Sequence, residues 1–154
     1  MSDARWFEID AAVDAAVRHF QGAIALFTRL PTATDEIDRY GLEMGFMHAM
    51  QSGHTSLETT LLRMLDLFGE EAPTGARWHA DLIARAARAV GGRPAILGKA
   101  AAIAANETRQ FRSIAAHAYD TFEQMRAVAA MNSAKTLIAL LPAEIAHFRQ
   151  RIDP

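Results

Sequence analysis

The chain has 154 residues, with 16 Lys or Arg against 18 Asp or Glu and no cysteine. That length is enough to bury a core within a single domain over residues 1–154, and the missing cysteine excludes disulfides, thiolate metal sites and cysteine nucleophiles. A net charge of −2 argues against a general nucleic-acid binder.

Ala, Leu, Met, Arg and Glu dominate, β-branched residues are scarce and strand-like alternation is missing, which predicts an all-α protein. Gly and Pro cluster in "RLPTATDE", "FGEEAPTGAR" and "VGGRPAILG". These breaks predict helices over about 4–29, 35–69, 76–90, 96–120 and 123–151, an up-down bundle of four to five helices. The opening "MSDARWFEIDAAVD" lacks a signal-peptide pattern, and no apolar run is long enough for a bilayer span. The expectation is a cytoplasmic protein with no membrane partner.

In the first helix Trp6, Val13, Val17, Phe20, Ile24 and Phe27 make a core seam. Thr34, followed by Asp35 and Glu36, signals the start of the second. That helix carries a seam of Tyr40, Met44, Met47, Leu61, Leu65 and Phe68, interrupted by Gln51, His54 and Glu58. A polar gap in a buried seam costs energy unless it faces a cleft or a partner. Two readings stay open: a polar site, or three wet residues beside a core seam of Phe46, Met50, Leu57 and Met64. Gly91 is placed to close the third helix. Val128, Ile138, Leu141, Ile145 and Phe148 give the last helix its core face, and Pro142 should kink or divide it.

Metal chemistry finds no support. A di-iron bundle needs two Glu-x-x-His pairs, and only Glu144 and His147 fit. His54 and Glu58 lie one turn apart, but two ligands do not make a site. His19, His79 and His147 read as surface or packing residues. No cofactor is expected.

Charge is unevenly placed. Residues 1–76 carry 5 basic and 12 acidic side chains, whereas residues 77–112 carry 7 and 2. A basic segment in an acidic chain either presents a local anion site or forms a solvated helix face. It leads into "QFRSIAAHAYDTF", which places Arg112, Ser113, His117 and Tyr119 within eight residues. On a regular helix Arg112 and Tyr119 lie about 20° apart, while Arg112 and His117 diverge by about 140°. The last two converge on one phosphate only if the helix ends near His117 or a second chain completes the site. A neutral imidazole can take the proton of a ribose 2′-hydroxyl, and a guanidinium can hold the scissile phosphate. Together they support metal-free RNA cleavage.

"FRSIAAHAYDTF" resembles the Arg-x4-6-His signature of HEPN domains, and with Tyr119 the Arg-x4-His-x-Tyr form of HepT-like toxins. The preceding "SGHTSLETTLLRMLDLFGEEAPTGARWHADLIARAA" is similar to the HepT-like pattern that leads into the motif, so the resemblance spans roughly 35–150. The resemblance implies an all-α HEPN-like bundle that pairs as a homodimer with the two motifs meeting across the interface. It further implies a metal-independent endoribonuclease toxin acting on single-stranded RNA. Its antitoxin would be a nucleotidyltransferase that blocks the toxin by transferring AMP to Tyr119. Carried over, Arg112 binds phosphate, His117 does acid–base work and Glu58 is a supporting acid. Ser113 departs from the Asn, Asp or His common after the motif arginine. That departure suits an alternative, a non-catalytic helical docking or substrate-binding subunit for a nucleotidyltransferase.

Overall fold

The computed structural model describes residues 3–117 and 124–154, all-α with no strand among them. Helix α1 spans Asp3–Arg29, and a single 3-10 turn, Leu30–Thr32, reverses the chain into α2, Glu36–Asp66. Helix α3 is short, Trp78–Ala86, and α4 and α5 run over Lys99–His117 and Gln124–Ile152. Among the described residues no helix is long and apolar enough to cross a membrane.

The long helices close into a ring: α1 packs on α2, α2 on α4, α4 on α5, and α5 back on α1. Their shared interior holds Trp6, Phe20, Phe46, Leu57, Leu137 and Phe148, each almost wholly buried. Burying an aliphatic or aromatic side chain of this kind is worth about 1.5–3 kcal/mol, and this face, rather than helix propensity, holds the bundle together. Two of the expected seam residues do not join it. Tyr40, in the first turns of α2, is 61% exposed, and Val128, near the start of α5, is 38% exposed.

Local chemistry explains the helix ends. Asp35, not Thr34, caps α2: its Oδ1 accepts the Asp38 N–H at 2.7 Å, while the Thr34 N–H donates to Asp38 Oδ2 at 3.0 Å. At the other end Gly69 adopts φ 66°, and the N–H groups of Gly69 and Glu70 donate to the carbonyls of Asp66 and Leu65. That is a Schellman closure, which needs a residue comfortable in the left-handed region.

Helix α3 stops earlier than the pattern predicts, because the next residues make a tight turn instead of another helical turn. Gly91 and Gly92, both at positive φ, join Val90 to Arg93 in a two-residue hairpin bridge. Gly91 therefore serves this turn and not the helix end. Arg93 is drawn inside: its guanidinium pairs with Glu70 at 2.5 and 3.0 Å and donates to the carbonyls of Arg85, Arg88 and Pro94. Pro142 does not divide α5, which continues through it. The proline forfeits one backbone bond, while Leu137, Leu141, Ile145 and Phe148 bury the helix on both sides of it.

Candidate functional site

One face of α2 carries His48, Gln51, Ser52 and Thr55 at positions i, i+3, i+4 and i+7, with Ser56 beside them. Opposite stand Arg109, Arg112 and Ser113, which share a face of α4 by the same spacing. The start of α3 brings Arg77 and His79, and α1 contributes His19. Together these side chains line a cleft of about 1010 Å³. Three guanidinium and three imidazole groups face it, and no carboxylate is among its described lining residues. An acidic chain therefore carries a locally cationic groove, the arrangement that recruits a polyanion.

Not all of the basic segment contributes. Arg93 is consumed inside the fold by Glu70, and Arg85 donates to the Glu71 carbonyl at 2.5 Å. Arg77, Arg109 and Arg112 are the members that reach the cleft. Arg109 is steadied by Asn106, Nε to Oδ1 at 3.2 Å.

Behind the α2 wall lies a buried polar cluster. Both readings of the second helix prove half right: Phe46, Met50, Leu57 and Met64 are core, yet His54 and Glu58 are not wet. They are 0% and 3% exposed, while Gln51 is half-buried on the cleft. Helix α4 covers α2 here through Phe111, packed edge-on against Phe46, and through Thr108, which reaches His54. His54 Nδ1 lies 2.8 Å from Thr108 Oγ1, and its Nε2 faces Glu58 Oε2 at 3.5 Å, too long for a good hydrogen bond. Glu58 Oε2 instead accepts a short hydrogen bond from His79 Nδ1.

Two downward shifts follow from this packing, with different causes. Burial holds the His54 imidazole below its ordinary value, outweighing the attraction of Glu58, and the Arg112 charge adds to the depression. Burial alone would raise the Glu58 carboxyl, but its contacts with the His54 and His79 rings outweigh it and keep Glu58 below the usual carboxylate range. Of the two imidazoles, His79 makes the close contact. The cluster is a neutral His54 backing an ionised Glu58, whose lone pairs are directed at His79.

The residues singled out in the sequence are distributed as follows. Arg112 and Ser113 stand on the cleft wall, half-buried and exposed respectively. Glu58 sits behind it, and His117 is the last residue of α4, one turn beyond Ser113. Tyr119, with Asp120 and Thr121, lies outside the described residues. Sequence reasoning missed His79, which is not a bystander but the partner of Glu58, and it did not single out the cleft roles of His19, His48, Arg77 and Arg109. The signal for His79 was the unexplained acid in the polar gap of α2, which needed a cation or a donor from elsewhere.

A family model described as HepT-like protein matches residues 45–152, a span that includes the α2, α3 and α4 walls of the cleft. No curated protein and no solved structure matches the chain.

Proposed function

The chain belongs to the HepT-like family of the HEPN superfamily, and on that premise we propose that it is a metal-independent endoribonuclease toxin of a toxin–antitoxin pair. Single-stranded RNA is its substrate, and the chain acts in the cytoplasm as one domain that pairs as a homodimer. In this reading Arg112 holds the scissile phosphate, with Arg109 and Arg77 tracking the backbone on either side. His117 takes the proton of the attacking 2′-hydroxyl, and the second protomer relieves the angular divergence between Arg112 and His117. A nucleotidyltransferase antitoxin silences the site by transferring AMP to Tyr119.

The observation that carries the reading is the cationic cleft built around Arg112 in a chain of net charge −2. It is tested by cleavage of a single-stranded RNA in EDTA. His117→Ala should abolish cleavage with the thermal melt unchanged, and equal activity in that variant sinks the assignment.

Ser113 favours a second reading. It stands on the cleft wall beside Arg112, where a serine orients its neighbours less firmly than the residues common in HEPN nucleases. In that reading the bundle is a non-catalytic docking or substrate-binding subunit for a nucleotidyltransferase. Tight complex formation by a protein that is folded, unmodified at Tyr119 and inert toward RNA distinguishes it.

A further inference from the structure

The ribonuclease reading gives His117 the proton of the attacking 2′-hydroxyl and names no group that protonates the departing 5′-oxygen. We propose that His79, positioned by Glu58, is that group, the residue that donates a proton to the leaving oxygen; this rests on the ribonuclease reading above.

The geometry supports that role at each atom. His79 Nδ1 donates to Glu58 Oε2, so the Nδ1 proton is committed to the buried carboxylate. Its Nε2, across the five-membered ring, is on the side away from Glu58. The side chain is 28% exposed and lines the same cleft as Arg112. Ring orientation is constrained twice, by Glu58 and by the Trp78 ring lying against it, centroids 3.6 Å apart and planes tilted by 30°. Glu58 is constrained in turn by its own burial and by His54, which Thr108 holds from behind. A carboxylate that orients an imidazole also stabilises the cationic form from which a proton is given.

The step balances without metal or redox partner. The O2′–P bond forms as P–O5′ breaks, the 2′-hydroxyl proton passes to His117, and the proton on His79 Nε2 passes to O5′. The products are a 2′,3′-cyclic phosphate and a 5′-hydroxyl, and both imidazoles re-equilibrate with water. Arg112 carries the charge that builds on the non-bridging oxygens. The charged or titratable groups around His79 are Glu58, with His54 behind it, and the His19, His48, Arg77, Arg109 and Arg112 side chains of the shared cleft.

The test compares wild type, His79→Gln, His79→Ala and Glu58→Gln on two substrates in EDTA from acid to alkaline pH, with thermal melts alongside. On an ordinary RNA, His79→Gln should lower kcat at least ~100-fold with KM within about threefold, and remove the alkaline limb of the pH profile. On a uridine 3′-(p-nitrophenyl phosphate), whose leaving group needs no proton, the same variant should work within about threefold of wild type. Added imidazole should restore part of the activity of His79→Ala. Glu58→Gln should lower kcat on the ordinary RNA with little change in KM and spare the nitrophenyl substrate; because Glu58 is buried, its melt is checked first, and the partly exposed His79 variants carry the test if it unfolds. Wild-type cleavage with His79→Gln equally active, or equally impaired on both substrates, overturns the role of His79 and leaves the ribonuclease reading intact. A folded, unmodified wild type that cleaves neither substrate overturns both.

Discussion

At Gly53, one residue before the buried His54, α2 lies close against Phe20 of α1. A methyl group there would stand 2.6 Å from Phe20 Cδ1 and Cε1 and 3.0 Å from Cζ. The Phe20 ring is fully buried and cannot swing into solvent, so Gly53→Ala must push the helices apart or force the ring off its rotamer. Overpacking of this kind costs about 1–3 kcal/mol, and the better helix propensity of Ala returns about 1 kcal/mol. The net expectation is a loss of about 1 kcal/mol. Gly41, in the same helix, meets nothing within 4 Å, so Gly41→Ala collects the propensity gain alone, about 1 kcal/mol. For a chain of this size each kcal/mol moves the midpoint by about 2–4 °C, so the two variants should straddle wild type and differ by roughly 4–8 °C. Urea denaturation checks the energies independently of temperature. Gly53→Ala as stable as Gly41→Ala would refute the close crossing, and with it the placement of the α2 site face.

Three further outcomes follow from the same structure. His54 is depressed by burial, so the unfolded chain takes up the proton first as pH falls; its contribution to stability is whole above the ordinary value near 6.5 and is lost below it. The thermal midpoint should therefore drop between about pH 7 and 5, and His54→Gln should flatten that slope; an unchanged slope contradicts the buried neutral imidazole. Glu58, also depressed, loses its contribution only as pH falls through the carboxylate range and below it, a separate and more acid window. Arg93→Ala strips Glu70 of its buried partner and frees three carbonyls, and should cost about 3 kcal/mol in urea denaturation; a loss below about 1 kcal/mol would mean the bridge is solvated. Arg109→Ala should weaken single-stranded RNA binding and lower the salt slope by about 0.7, as loss of one phosphate contact requires; an unchanged slope removes Arg109 from the RNA path.

Much of the fold was legible because its signals are local. Gly–Pro clusters end helices wherever they occur, and the Trp6–Phe20 seam reports one helix face without reference to the rest. The errors arose where tertiary contacts override local rules. Of the kink or division expected at Pro142, the division does not occur: α5 is packed on both sides and continues through it. The third helix ends early at the turn through Gly91 and Gly92, and Arg93, counted with the basic segment, lies inside beside Glu70. Periodicity placed Tyr40 and Val128 on core seams, yet both are exposed, because spacing along one helix does not say where a partner helix covers it.

The candidate site divides in the same manner. Arg112, Ser113 and the polar gap at Gln51, His54 and Glu58 were readable, because a helix displays its own faces through spacing. That Glu58 is buried, and that His79 is its partner, depends on the loop that follows α2 folding back to set α3 beside it, a contact between residues 21 apart. Spacing arguments do not cross such a loop. An acid unexplained in an apolar seam was the visible half of a pair.

The most direct test of the account is the product analysis of a 5′-labelled single-stranded RNA incubated in EDTA with unmodified wild type and with Arg112→Ala. The account predicts fragments ending in 2′,3′-cyclic phosphate from the wild type, and a loss of at least about 100-fold in the variant. Cleavage that persists in Arg112→Ala, or a folded wild type that leaves the RNA whole, contradicts it.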